Sequence, residues 1–545
     1  MSIWKRKPLN LLLEEASESE KGLKKTLTAS GLTALGVGAI IGAGLFSITG
    51  MAAATNAGPA ITISFIVAAI GCVFAGLCYA EFSSMIPVAG SAYTYSFATM
   101  GEFVAWIIGW DLVLEYAVGA ATVSISWSRY LGKFLSGYGI HIDDAYMLSP
   151  FEGGIINVPA VLIVMVMSLI LIRGTKESAF VNGIIVMLKV TVVLVFIALG
   201  WQYIRPENYT PYIPANTGSF GEFGFSGIIR AAAIVFFAYI GFDAVSTAAQ
   251  EAKNPKRDMP IGILLSLGIC TVLYILFAHV MTGVVNYSAF AGADGIAPVA
   301  IAIDNMGHAD ASGMITPAYP WLNKAIILAI LGGYASVILV MLMGQSRVFF
   351  SMSKDGLMPK VFSEVHPKFR TPAKNNLLFM LIVSLFAAFV PARVVGEMTS
   401  IGTLFAFILV CLGVLVMRKK MPDAPRAFRT PLVPLVPVLG ILVCLFMMVF
   451  LPLDTWIRLI VWMMIGFDLY IFYGMKNSVL NKDGFDKSSH KMVALSGLGM
   501  VVALVIVAIV HHSDPAIDDT FLYYFSLLFS AIHAVVYFMS YQKSR

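Results

Sequence analysis

The stretch GAIIGAGLF, residues 38–46, interrupts the first apolar segment of the chain, and the stretch FFAYIGFDA, residues 236–244, interrupts the sixth. Inside a bilayer, backbone without helical hydrogen bonds is tolerated only where protein or a water-filled cavity satisfies its polar groups. Each interrupted segment leads a block of five segments. Paired interruptions at corresponding positions of two blocks are typical of the binding site of a transporter.

Composition places the whole chain in a membrane. It has 545 residues, of which 59% are hydrophobic and only 12% are charged, far from the averages of soluble proteins. Apolar runs long enough to cross a hydrocarbon core of about 30 Å recur from end to end. We expect an all-α polytopic membrane protein with fourteen transmembrane helices at residues 31–55, 59–84, 93–133, 155–172, 179–203, 226–250, 260–285, 323–350, 375–391, 395–417, 432–452, 455–475, 492–511 and 520–541. They are numbered segments one to fourteen below.

The distribution of basic residues predicts the orientation. With the amino terminus in the cytoplasm and fourteen crossings, 28 of the 36 Lys and Arg residues lie inside and seven lie outside. This excess agrees with the positive-inside rule and predicts that both termini lie in the cytoplasm. We expect the protein in the plasma (inner) membrane of the cell. Residues 1–30 are polar and resemble no cleavable signal, so segment one itself starts insertion.

Several functional classes are disfavoured. All five cysteines lie in apolar segments without ligand spacing, and the eight histidines form no metal motif. Phosphate-binding loops and nucleophile motifs are missing, so we expect neither an enzyme nor a bound metal or cofactor. Basic residues do not cluster with aromatic ones, which argues against nucleic acid as a partner. A small accessory membrane subunit is left open.

The first interruption offers groups that suit an amino acid. A break at Gly42, Ala43 and Gly44 gives the outer half-helix an N-terminus with free N–H groups, which suits a carboxylate. The inner half ends in free carbonyls near Ile40 and Ile41, which suit an ammonium group. The alternative is that the glycines merely allow tight helix packing.

The second interruption adds to the same predicted site. Unwinding at Phe237, Ala238 and Ile240 exposes further carbonyls, and the rings of Phe236 and Phe237 are expected to form walls. Carboxylate receptors beside ammonium receptors describe the head group of an α-amino acid.

Three ionisable residues complete the candidate site. Lys189 is about 15 Å deep in segment five, at the depth of the first break. A lysine there needs a partner or a cavity, and because burial disfavours its charged form it can exchange a proton. The alternative is a permanently charged tether to the carbonyls of segment one. Glu115, one turn from Asp111, and Asp243 are candidates to receive a cationic substrate side chain, with structural pairing as the alternative.

Three stretches carry a family resemblance: GAIIGAGLF, the run from Phe236 to Pro260, and GQSRVFFSMSKDGLMP from Gly344 to Pro359. They resemble the amino acid–polyamine–organocation superfamily, and the middle stretch resembles its cationic amino acid transporter family in bacteria. The resemblance covers segments one to ten. It implies a leucine-transporter-type fold with two inverted five-helix repeats and alternating access. The implied organisation is a cytoplasmic segment 1–30, a transport core 31–418 with repeats at about 31–203 and 226–418, and peripheral helices 419–545.

The resemblance also implies roles for individual residues. The substrate carboxylate would meet the N–H groups of Ala43 and Gly44, and Met341 would line the side-chain end of the pocket. The α-amino group would meet the carbonyls of Ile40, Phe237, Ala238 and Ile240. Lys189 matches a lysine that replaces a sodium site in proton-coupled relatives. Ala43 departs from the family pattern, in which Ser or Thr is frequent, and this leaves the substrate range less certain.

Together these observations predict proton-coupled symport of cationic or small neutral L-amino acids. The alternatives are a transporter of polyamines or other organic amines, an amino acid exchanger, and an amino acid sensor that does not transport. An ion channel is disfavoured because no filter or ring of charges is present.

Overall fold

A computed structural model describes residues 3–8, 11, 27–86, 91–174, 179–247, 249, 252–291, 297–309, 315–480, 487–513 and 519–543. Within these residues the protein is almost entirely helical, which confirms the predicted fold class. Nine helices are long and apolar enough to cross a membrane, the first of which, Ala29–Met85, contains segments one and two. Four shorter apolar helices correspond to segments four, six, nine and eleven. The number of crossings and the inverted repeat stay predictions.

The helices follow the predicted segments closely. Segment one consists of Ala29–Ile40, Gly44–Ile48, Thr49–Ala52 and Ala53–Ala57, and segment six consists of Gly224–Val235, Phe236–Tyr239 and Phe242–Thr247. The uninterrupted helices are Ile61–Met85, Glu102–Ser136, Val158–Arg173, Ala179–Gly200, Pro255–Val284, Pro320–Lys354, Ala373–Phe389, Ala392–Lys420, Leu435–Phe450, Leu453–Leu469, Lys487–His512 and Thr520–Lys543. Proline stands in the first turn of several of these helices. The N–H group of a residue there has no intrahelical acceptor, so proline, which lacks this group, loses no hydrogen bond.

Segment three differs from the expectation of one long helix. A short helix, Ser91–Thr99, precedes it, and the main helix begins only at Glu102. Gly101 separates the two with a φ of +111°, a conformation that residues with a Cβ rarely adopt. A Cβ there would also lie 2.7 Å from the backbone of Trp4.

Residues 3–8 form an N-terminal clasp against this junction, whereas the sequence suggested only a polar tail. The N–H of Lys7 donates to the Phe97 carbonyl over 3.1 Å, and the N–H of Phe103 donates to the Ile3 carbonyl over 3.1 Å. The buried ammonium group of Lys7 pairs with Asp355, at the end of segment eight, over 2.8 Å. The clasp therefore links the start of segment three to the end of segment eight.

The long connection at 286–322 is folded where it is described. It contains a short turn, Tyr287–Phe290, the helix Pro298–Asp304 and an antiparallel pair of strands, Gly307–Ala309 and Ile315–Pro317. Within the described residues, these two strands form a two-stranded sheet.

Segment twelve and the linker that precedes segment eleven are held to the core by specific contacts. The ring of Trp110 stacks on that of Trp462 with centroids 4.4 Å apart, and each indole N–H donates to the other residue's carbonyl. Buried Glu81 of segment two accepts from Arg418 and Arg426 at 2.9 and 3.1 Å. Glu81 thus links segment two to the end of segment ten and to the linker that follows it.

Candidate functional site

The first interruption is a true break in the helix. The inner half of segment one ends at Ile40, and Ile41 is extended with a ψ of 106°. In the outer half, the N–H groups of Leu45 and Phe46 both donate to the Gly42 carbonyl. Helix geometry therefore leaves the preceding N–H groups, those of Ala43 and Gly44, without an intrahelical acceptor. The positive end of the outer half-helix dipole lies at the same place.

The second interruption has a different local cause. Segment six tightens into a 3₁₀ turn over Phe236–Tyr239, Ile240 is extended, and Gly241 has a φ of +116°. The helix resumes at Phe242, and the Asp243 carboxylate accepts from the Gly241 N–H over 3.2 Å. Asp243, in the first turn of the second half, therefore satisfies the N–H of the residue before that helix, as the acidic partner of a capping box does.

The two breaks touch each other through their backbones. A Cβ on Gly44 would lie 2.2 Å from the Cα of Ala238, and a Cβ on Gly241 would lie 2.8 Å from the carbonyl of Ala39. Real Cβ atoms do not approach this closely, so glycine is needed at both positions. By contrast, a Cβ on Gly42 would meet only Val337, at an ordinary 3.4 Å.

A tyrosine that the sequence did not single out bridges the breaks. The hydroxyl of Tyr274, in segment seven, lies 2.9 Å from the Ile40 carbonyl and 2.8 Å from the Ala238 carbonyl. Both carbonyls were predicted to receive an α-amino group. A carbonyl oxygen has two lone pairs, so each retains some accepting capacity. The Phe237 carbonyl accepts from the N–H of Ile240.

Lys189 reaches the end of the inner half of segment one. Its ammonium group donates to the Gly38 carbonyl over 2.8 Å, and the side chain is 2% exposed. Its methylene groups pass Gly333 of segment eight, where a Cβ would lie 3.0 Å from Cε. The lysine thus joins segments one, five and eight beside the first break. This geometry is compatible with both a tether and a proton-exchanging group.

The predicted acidic residues have different surroundings. Asp243 accepts from the hydroxyl of Tyr116 over 2.6 Å in addition to the Gly241 N–H, so structural partners already hold it. Asp111 and Glu115 are buried, and their carboxylate oxygens have no hydrogen-bond partner among the described residues. They lie one turn apart beside Gly402 of segment ten. Two buried ionised carboxylates at this spacing would be costly.

The predicted wall residues also differ from one another in their surroundings. Phe236 packs with Phe407 of segment ten, ring centroids 5.3 Å apart, and is fully buried. Phe237 and Met341 retain small exposed areas of 4% and 7%. The sulfur of Met341 lies against Gly119 of segment three. The structure thus brings the two breaks and Lys189 together, while it commits Phe236 to helix packing.

Hydroxyl groups anchor the outer half of segment one. Tyr130 donates to the Phe46 carbonyl over 2.5 Å, and the hydroxyls of Ser47 and Tyr334 lie 2.8 Å apart. Tyr130 and Tyr334 come from segments three and eight, so the outer half-helix is fixed against the same two segments that carry Glu115 and Met341. The site is therefore held by side chains from helices around it.

The family model described as amino acid permease matches residues 27–469 of this chain. The chain belongs to the amino acid permease family. It is therefore a membrane permease of the amino acid–polyamine–organocation superfamily and not an enzyme. The match contains both breaks, Lys189 and Tyr274.

Individual relatives cover most of this permease. It is 46% identical to the branched-chain amino acid permease BcaP of Bacillus subtilis (strain 168), over 88% of this chain and 99% of the relative. It is 42% identical to the methylthioribose transporter of the same organism, over 88% and 100% of the two chains. It is 34% identical to the vacuolar cationic amino acid transporter 4 of Arabidopsis thaliana, over 77% and 68%. Amino acid transport is thus supported at the level of the family.

Proposed function

We propose that the permease is a proton-coupled symporter of L-amino acids that works by alternating access. One observation carries the proposal: two backbone breaks meet, and the outer half-helix presents the N–H groups of Ala43 and Gly44 at its positive end. These groups suit the substrate carboxylate, while the carbonyls of Ile40, Phe237, Ala238 and Ile240 suit its ammonium group. Protons and substrate would both favour closure of segments one and six over the site.

The substrate range follows from chemistry and from the relatives together. Cationic and small neutral side chains remain the proposed classes, with Met341 and Phe237 near the side-chain end and Glu115 or Asp243 as receptors for positive charge. Branched-chain side chains join them, since a relative with 46% identity is named for them. We further propose a plasma (inner) membrane location with both termini in the cytoplasm, based on the basic-residue distribution.

Lys189 is the proposed coupling residue. It is buried at the first break and donates to the Gly38 carbonyl. A neutral amine is a weaker donor than an ammonium group, so loss of the proton would loosen the inner half of segment one. Substrate that enters with a proton can therefore be linked to a movement of that half-helix. In the alternative, the lysine keeps its proton throughout the cycle and serves only as a tether.

The test is uptake into liposomes of the purified permease. Wild-type protein is expected to accumulate radiolabelled leucine, alanine or arginine when the outside is acidic. Lys189→Ala should abolish gradient-driven accumulation and leave some exchange across preloaded vesicles. Lys491→Ala, an exposed lysine of segment thirteen, is the matched control and should behave as wild type.

The outcomes separate the candidates. Unchanged accumulation by Lys189→Ala would contradict its coupling role. Exchange without net uptake in wild type would indicate an exchanger, and substrate binding without any accumulation would indicate a sensor. Wild-type vesicles that take up no amino acid would contradict the proposal.

A second candidate substrate class comes from a specific relative. The methylthioribose transporter is 42% identical over nearly all of both chains, and methylthioribose has no carboxylate. Uptake of labelled leucine should therefore be challenged with unlabelled methylthioribose, putrescine and amino acids. Competition by amino acids alone supports the carboxylate site, whereas dominant competition by methylthioribose or putrescine would favour the alternatives.

A further inference from the structure

A cavity lies outside the two breaks. Its volume is about 140 Å³, and it is bounded by the outer half of segment one, segment six and the start of segment ten. Ile48, Ala52 and Ile234 form an apolar part of the lining. Four charged side chains also line the cavity, two acidic and two basic: Glu222, Glu397, Arg230 and Arg393. A cavity of this size holds a molecule about as large as benzene.

The cavity lies next to the candidate site. Ile48 is four residues beyond Gly44, which corresponds to about 6 Å along a helix. Segment ten closes against both neighbours here, because a Cβ on Gly396 would lie 3.2 Å from Ile48 and the Ser400 hydroxyl donates to the Ile234 carbonyl over 3.2 Å. Only about one helical turn therefore separates the cavity from the N–H groups at the first break.

The negative charge in this cavity is firmly positioned. Glu397 is 2% exposed. One carboxylate oxygen accepts from Arg393 over 2.9 Å, and the other accepts from the Thr455 hydroxyl over 3.1 Å. Because a carboxylate has about four acceptor positions, Glu397 retains the capacity to bind one more cationic donor.

The positive charge is positioned by a different device. One terminal nitrogen of Arg230 donates to the Phe220 carbonyl over 2.9 Å, and its stem packs so closely on Gly221 that a Cβ there would lie 2.4 Å away. A guanidinium group has five N–H donors in a rigid fork, so this single bond leaves most of them for a ligand. Arg230 is also attracted electrostatically by Glu397. The direct ion pair of Glu397, however, is with Arg393.

We propose that this cavity is a staging site that binds the zwitterionic head group of an amino acid before it reaches the two breaks. Arg230 receives the α-carboxylate, Glu397 receives the α-ammonium group, and the apolar lining accepts a small neutral side chain. The proposal rests on amino acid transport as the proposed function, and it adds a site to that function. Residues of opposite charge at the entrance raise the local substrate concentration and the rate of encounter.

The experiment measures alanine uptake into proteoliposomes as a function of alanine concentration, because alanine has six heavy atoms, as benzene has. Arg230→Gln is expected to raise the KM about five- to tenfold with little change in maximal rate, because it removes an encounter site and leaves the central site intact. Arg230→Lys should restore part of the affinity, since it keeps the charge and loses the fork. Raised salt should increase the wild-type KM and affect Arg230→Gln less.

Controls separate this role from a general effect of charge or fold. Lys324→Gln removes one positive charge from segment eight, where the ammonium group lies over the Tyr138 ring, and should leave the KM unchanged. If Arg230→Gln does not reach the membrane, Glu397→Gln tests the proposed ammonium contact of the same cavity and should raise the KM as well.

Two results would overturn the staging site while leaving amino acid transport intact. The first is an unchanged KM in Arg230→Gln, or in Glu397→Gln if that variant has to replace it. The second is a lower maximal rate at unchanged KM, which would make Arg230 part of helix closure instead. Failure of the proposed function is distinguishable, because the wild-type vesicles would then take up no amino acid.

Discussion

At the scale of single residues, one hydroxyl group has an unusually large structural task. Tyr274 contacts carbonyls on both broken segments, 234 and 36 residues away in the chain. Both carbonyls are at positions where helical hydrogen bonding has lapsed, so the hydroxyl replaces part of what the helix would have supplied. The relative position of the two breaks therefore depends on a third segment.

Removing this hydroxyl tests that dependence. Tyr274→Phe removes the single hydroxyl proton that two buried carbonyls share, at a cost of about 1–3 kcal/mol. If this energy holds the breaks in place, amino acid affinity should fall by about 10- to 100-fold, measured by titration of the purified protein. Tyr537→Phe is the matched control, because Tyr537 donates to the Met464 carbonyl far from the breaks. Equal affinity in both variants would contradict the role of Tyr274.

At the scale of elements, the broken half-helices depend on how closely two backbones approach. Gly44 and Ala238 are in contact without an intervening side chain, whereas Gly42, two residues earlier, has ordinary space beside it. The motif GAG therefore contains two glycines with different structural demands. The sequence alone does not distinguish these two glycines, because both belong to the same glycine-rich interruption of an apolar segment.

This difference predicts unequal effects of the same substitution. Gly44→Ala should push segments one and six apart and abolish amino acid uptake, because its Cβ would lie 2.2 Å from the Ala238 backbone. Gly42→Ala should fold normally and lose far less uptake, since its φ is outside the left-handed region and its nearest neighbour is the end of a side chain. Uptake into proteoliposomes and melting temperature should be measured together. Similar losses in both variants would show that the contact with Ala238 is not decisive.

At the scale of the whole molecule, the last two segments attach to segment twelve and to the N-terminal clasp, where the Ile3 N–H donates to the Ser489 hydroxyl over 3.0 Å. Segment twelve is stacked onto segment three through Trp462 and Trp110, whereas segments thirteen and fourteen lie beyond the residues that the family model matches. Contacts such as that of Tyr537 with Met464 attach them to segment twelve. Their arrangement suggests support for the core and no share in the site.

Two truncations test this division. A chain that ends at residue 480 should remain monodisperse on size-exclusion chromatography and retain amino acid uptake. A chain that ends at residue 420 should fail to fold, because it loses Arg426 and the Thr430 N–H, both of which bind buried Glu81. Loss of uptake by the first chain, with its fold intact, would assign the terminal helices a direct role. A folded second chain would contradict the proposed importance of the Glu81 cluster.

Much of this architecture was predictable, and the exceptions have physical causes. The breaks and Lys189 stand out because glycine pairs and a charge are rare in apolar segments. Tyr274 does not, since tyrosine is common in membrane helices and only its neighbours reveal its bonds. The clasp at residues 3–8 is equally invisible, because a short extended peptide has no periodicity. Phe236 was expected to be a wall, but only the fold shows that its ring is packed against Phe407.

Glu81 also has a consequence for how the protein is made. Its partners Arg418 and Arg426 follow it by 337 and 345 residues, so at about 5–20 residues per second a ribosome needs roughly 20–70 s to supply them. During that interval the carboxylate, four residues from the end of its helix, must stay hydrated at the membrane surface or carry a proton. The Glu81 cluster is therefore complete only when synthesis has passed segment ten and the linker that follows it.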